Sequence, residues 1–164
     1  MDRSRGFRAA ILVKGGNRHQ RASTAKAVAL PDIPMTKRAS LEPTSVILEQ
    51  PDLIRYAAAA GDYNPIHYDT EAAKAAGLPG VVVHGMLNMA LLAEYLEPWV
   101  ESGYHVEDFQ VRFRNFVRPG SPVVVVGKVK SETVEEVKIA LQITAEGAPR
   151  PAVTGEALLR SPSP

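Results

Sequence analysis

The chain has no cysteine in its 164 residues. That excludes disulfides, thiolate nucleophiles and cysteine-based zinc sites. Aromatic residues are scarce, at 6%, with one tryptophan. Long apolar runs are missing too. Runs such as Ala57–Ala60 and Val81–Val83 fall far short of the ~20 residues a membrane helix needs. Ala9–Val13 is also too brief for a signal-peptide core. A membrane role is therefore not expected, and a cytoplasmic location is. Net charge is nearly absent at +1, yet the balance is uneven. Residues 1–40 carry nine Lys/Arg against two acids, whereas residues 41–164 carry ten against sixteen. A basic arm precedes a mildly acidic body.

What is present fits one domain. Hydrophobic content of 45% and charged content of 23% are ordinary for a globular protein of this length. Residues 1–40 are rich in Arg, Lys, Ser, Gly and Ala, and are expected to form a disordered basic extension. Basic arms can neutralise phosphates, but with one aromatic and no known module this one does not point to nucleic-acid binding. The domain is expected to span 41–164. Thr44–Leu48 alternates like a strand. Pro51 can open a helix with Asp52 in its first turn, and Gly61 can close it. Leu53, Ile54, Ala57 and Ala58 supply its apolar stripe. Asp62–Asp69 reads as a loop. Asp69 or Thr70 can cap a helix over Glu71–Ala76, ended by Gly77. A third helix, Gly85–Glu97, is apolar nearly all round and so is expected to be buried, ending at Pro98. Strands follow over His105–Val117, Pro122–Lys130, Glu135–Ala145 and Val153–Arg160, separated by hairpin turns. The expected fold is α+β, an antiparallel sheet wrapped around one long helix.

The chemistry concentrates in Gly61–Met89. Asp62 and His67 lie five residues apart, a spacing that diverges on a helix but can converge across a loop. A carboxylate and a neutral imidazole at one site can hold a water and manage its protons. Asn64 and Pro65 lie between them and can fix the turn. Gly85 opens the apolar helix. Its N–H belongs to a helix end with no internal partner, and glycine lets a carbonyl approach closely, so it suits an oxyanion or enolate. The plainer alternatives stand beside these: a lone Asp at a helix end is commonly a turn residue, and a lone His is commonly structural. His84 is expected to hold the helix entry by hydrogen bonding. Met86 and its neighbours are core or the wall of a substrate site. His19 and His105 are expected to face solvent.

At these residues the sequence resembles a known family. AGDYNPIHYD at 60–69 is similar to the hydratase-2 motif of the MaoC-like dehydratases, which include the (R)-specific enoyl-CoA hydratases. VHGML at 83–87 is similar to their second signature. The likeness runs on through VRFRNFVRP at 111–119 to AVTGEALL at 152–159. It implies a hotdog fold, with Asp62 and His67 as the catalytic dyad, Asn64 in support and the Gly85 N–H as oxyanion donor. The implied reaction is syn hydration of a trans-2-enoyl thioester to a (3R)-3-hydroxyacyl thioester, or its reverse, with no metal or other cofactor. The carrier would be CoA or acyl-carrier protein, which Arg112, Arg114 and Arg118 could meet from one strand face. Dimers are implied, either homodimers or, as in the small single-hotdog subunits of the mycolic-acid dehydratase type, heterodimers. Ala93 stands where some (R)-hydratases carry a serine nine residues after the signature histidine. A hotdog thioesterase and a subunit inactive without its partner are the competing readings.

Overall fold

The hydrophobic pattern closes into one antiparallel sheet with its helices on one face. In this computed structural model the described residues are 42–161, together with the backbone of 8–10. The strands are β1 (Arg8–Ala10), β2 (Thr44–Ile47), β3 (His105–Phe113), β4 (Pro122–Glu132), β5 (Glu136–Ala145) and β6 (Val153–Arg160). Their order is β1-β3-β6-β5-β4-β2, with every neighbouring pair antiparallel. The expected disordered extension falls largely on residues outside those described, as does His19. Arg8–Ala10 nevertheless pairs with the outer edge of β3.

Alternation along the strands creates the core. On β5, Val137, Ile139, Leu141 and Ile143 are all buried on one face. Each such side chain stabilises the fold by roughly 1.5–3 kcal/mol. That outweighs the few tenths expected of an exposed helical ion pair such as Lys74–Glu71. Register shifts at Val106/Asp108 and Val129/Ser131 mark irregularities that bend the sheet.

Among the described residues four α-helices precede the long strands: α1 (Gln50–Ala60), α2 (Thr70–Ala75), α3 (Gly85–Glu94) and α4 (Glu97–Glu101). In α1 the Asp52 carboxylate accepts the Glu49 N–H at 2.8 Å, and Gly61 ends the helix at φ 69°. Its stripe is only half buried. Leu53 and Ala57 are covered, whereas Ile54 and Ala58 are exposed. Asp69 caps α2 by accepting the N–H groups of Glu71 and Ala72.

α3 lies on the inner face of the sheet, with Met89, Leu92 and the following Leu96 in the core. It meets β6 at Gly155. A Cβ there would come within 3.4 Å of Leu92 Cδ1 and 3.1 Å of the Gln110 carbonyl. The tighter of the two contacts is with the β3 backbone, so a side chain at 155 would crowd the neighbouring strand. The sheet wrapped on a central helix is the expected α+β hotdog.

Two boundaries and one burial pattern differ from expectation. α3 stops at Glu94, and Pro98 does not terminate it. Pro98 sits in the first turn of α4, where a missing N–H costs nothing. α3 is also not covered all round, since Ala90, Ala93 and Glu94 are exposed. Lastly, β3 ends at Phe113, not Val117. The N–H groups of Arg114 and Asn115 both turn to the Ala152 carbonyl, which breaks the alternation. Among the described residues no helix is long and apolar enough to cross a membrane.

Candidate active site

Asp62 leaves α1 directly after the left-handed Gly61. Asn64 then caps a single 3-10 turn, Pro65–His67, its side-chain oxygen accepting the Ile66 N–H at 3.3 Å. The Asn64 N–H turns back to Asp62 Oδ1 at 3.3 Å. Pro65 fits the first position of the turn because its φ is already set. The tight turn swings His67 inward, where it is buried.

Two hydrogen bonds stitch this loop to the segment ahead of α3. The Val82 N–H donates to the Ile66 carbonyl, and His67 Nδ1 lies 2.7 Å from the Val82 carbonyl. A carbonyl only accepts, so Nδ1 carries the proton. In the neutral ring Nε2 then holds the lone pair. The Val83 N–H is taken by the Val117 carbonyl, which ties the same segment to the chain beyond β3. His84 follows as the N-cap of α3 and is almost fully buried. Its Nε2 lies 3.4 Å from the Asp62 carbonyl, and its Nδ1 has no hydrogen-bond partner. Its ring stacks on that of His67, with centroids 3.8 Å apart and planes 21° from parallel. Burial chiefly, and then the nearby His67, hold the His84 pKa below the usual histidine value. The Asp62 carbonyl and carboxylate offset part of that depression.

Asp62, His67 and His84 each offer a ligand atom within 4.8 Å of the others. The stacked rings fit a single metal ion poorly. A ligating lone pair lies in its ring plane, and one ion cannot lie in two nearly parallel planes set this far apart. A hydrogen-bonded water suits the arrangement better.

Gly85 opens α3 beside this cluster. A Cβ added there would meet the Phe113 ring at 3.5 Å, an ordinary contact. The protein's own packing therefore does not require glycine at this position. Met86 is partly buried against the core in the same helical turn. Arg112 lies on β3 and Arg114 just beyond its end. Both are exposed, and Arg112 alternates to the face opposite Phe113. With β3 ending at Phe113, the expected common face for Arg112, Arg114 and Arg118 does not form. His105 is exposed, as expected.

Three neighbours of the site were not singled out from sequence. Tyr56 of α1 packs its ring on His84, with centroids 4.9 Å apart. Burial, then the Asp62 charge, raises its pKa. Asn88 is buried and donates from Nδ2 to the His84 carbonyl at 3.3 Å. As the lone polar residue in the apolar run Met86–Ala93, it carried a readable signal. Phe113 had none, because strand core and site wall look alike in sequence. A cleft of about 420 Å³ opens at the far end of α3, between Val46, Leu91 and Val125. Glu42, Glu94 and Glu97 also line it.

Comparison with known proteins settles the lineage. The model of the MaoC-like domain matches residues 21–147. The chain belongs to the MaoC-like dehydratase family. The match begins well before the domain start expected at residue 41. Over 69 residues the chain is 39% identical to 3-hydroxyacyl-thioester dehydratase X of Mycobacterium tuberculosis, covering 41% of this chain and 25% of that protein. It is 32% identical over 107 residues to the fatty acid synthase beta subunit of Aspergillus oryzae, covering 62% of this chain and 5% of the subunit. The chain thus spans a quarter or less of these two relatives. Among solved structures, the (R)-hydratase from A. caviae superposes with a TM-score of 0.67 at 26% identity, covering 74% of this chain and 93% of that one.

Proposed function

We propose that the chain interconverts trans-2-enoyl and (3R)-3-hydroxyacyl thioesters by adding or removing water. The carrying observation is the state of His67. Its Nδ1–H is committed to the Val82 carbonyl, which leaves the Nε2 lone pair available as a base beside Asp62. In the hydration direction, Asp62 and His67 hold one water between them. His67 Nε2 takes its proton as the oxygen bonds to the β-carbon. The Gly85 N–H steadies the enolate oxygen that develops on the thioester. The imidazolium then returns the proton to the α-carbon, on the face from which the water came. Atoms and charge balance without another reactant. Asn64 and Pro65 keep the dyad loop in shape, and His84 caps the helix that presents Gly85.

CoA and acyl-carrier protein are both admissible carriers, and the chain would act as a homodimer or heterodimer of hotdog subunits. The M. tuberculosis HadBC and ChsH1-ChsH2 complexes, which share this fold, support a heteromeric arrangement. A second reading, thioester hydrolysis, uses the same groups but aims the water at the carbonyl carbon. The test is to incubate the protein with a trans-2-enoyl-CoA. Loss of enoyl absorbance with the (3R)-hydroxyacyl-CoA as product and no free thiol is expected. Thiol release without hydroxyacyl product would replace hydration with hydrolysis.

A further inference from the structure

The dyad uses Asp62 and His67 but leaves unexplained the rings packed behind them. His67 has one hydrogen bond, to Val82, and a single bond leaves an imidazole free to swing about the bond's axis. Such a swing would carry Nε2 off the line to a bound water. The His84 ring removes that freedom, because it lies nearly parallel at 3.8 Å. His84 is itself held from three sides. Its carbonyl accepts from both the backbone N–H and the side chain of Asn88, at 3.2 and 3.3 Å. Its Nε2–H reaches the Asp62 carbonyl, and the Tyr56 ring leans on it at a 58° tilt. Hydrogen bonding alone does not account for this histidine. The 3.4 Å bond is long, and Nδ1 is buried without a partner, which is costly for a polar atom. What the position uses well is a flat ring.

The geometry points to His84 and Tyr56 as positioning residues, a ring plate from α1 and the α3 cap that fixes the plane of His67 through the proton-transfer cycle. The inference rests on the hydration reading of the same site. In that cycle His67 passes through an imidazolium and back, and its ring must keep one plane throughout.

The test compares His84→Ala with His84→Phe in the full chain, with Tyr56→Leu and Tyr56→Phe as a second pair. The readouts are kcat and KM for enoyl-CoA hydration, with thermal melts to confirm folding. His84→Ala should lower kcat roughly five- to tenfold with KM little changed, the size of a lost ring contact. His84→Phe should recover most of that loss, because it restores the plate and drops only the long hydrogen bond. Tyr56→Leu should show a smaller kcat loss that Tyr56→Phe repairs. Should His84→Ala fail to fold, the Tyr56 pair carries the test. A His84→Phe variant as slow as His84→Ala, or losses confined to KM, would overturn the plate. If Asp62→Asn and His67→Ala instead kept full activity, the dyad that the plate serves would fall first, whereas a parent protein that hydrated no enoyl-CoA would overturn the hydration reading.

Discussion

Replacing Gly85 by alanine separates the needs of the fold from those of the reaction. The added methyl would stand 3.5 Å from the Phe113 ring carbons, an ordinary van der Waals distance. Alanine is also preferred to glycine in a helix by up to about 1 kcal/mol. The variant should therefore fold and melt at or slightly above the parent temperature. Chemistry should suffer. A carbonyl oxygen taking a hydrogen bond from the Gly85 N–H must come to about 2.9 Å of that nitrogen. A methyl on the adjacent Cα crowds that approach. Losing one oxyanion donor costs about 2.7–4 kcal/mol in the transition state, or 10²–10³ in rate. The assay is kcat/KM for hydration of a trans-2-enoyl-CoA, paired with a thermal melt. A folded Gly85→Ala protein with parental kcat/KM would refute the assignment of this N–H. A collapsed melt would refute the claim that the protein leaves room for the methyl.

Gly155→Ala should behave in the opposite way. Its Cβ would crowd the Gln110 carbonyl at 3.1 Å and Leu92 at 3.4 Å, so chemical denaturation should show a loss of about 1–3 kcal/mol. Acid should weaken the fold through His84. Its pKa lies below 6.5 in the folded protein, so the unfolded chain binds a proton first as pH falls. Its contribution is therefore intact above about pH 6.5 and lost progressively below. Melting temperatures across that range should show a steeper acid decline in the parent than in His84→Phe. Asp69→Ala removes an acceptor for two N–H groups at the start of α2 and should cost about 1 kcal/mol in denaturant titrations. No measurable change there would mean that the cap is redundant.

Local chemistry was the most legible part of this chain. Pro51, Gly61, Asp69 and Gly77 mark helix ends by steric and capping rules that hold wherever the helix packs. The strand expected over Glu135–Ala145 was likewise legible, from the turns that flank it. Pro98 misled because proline is as welcome in a first turn as it is unwelcome inside a helix, and its ring alone does not say which turn it occupies. The end of β3 was hidden because two N–H groups leave the ladder for one carbonyl, that of Ala152, far along the chain. At the site, the spacing of Asp62 and His67 and the glycine at 85 were visible in the motif. The stack of His67 on His84 was not, since it depends on Val82 drawing the loop against the helix cap. The same holds for Tyr56, which reads as one more residue of an amphipathic helix until α1 is docked.

The most direct measurement is the hydration rate of a trans-2-enoyl-CoA by Asp62→Asn and His67→Ala, each checked for a parental melting transition. General acid–base groups contribute about 10²–10⁴ in rate, so both variants should fall by at least about 10² in kcat with the fold intact. Two folded variants turning over at the parental rate would contradict the dyad.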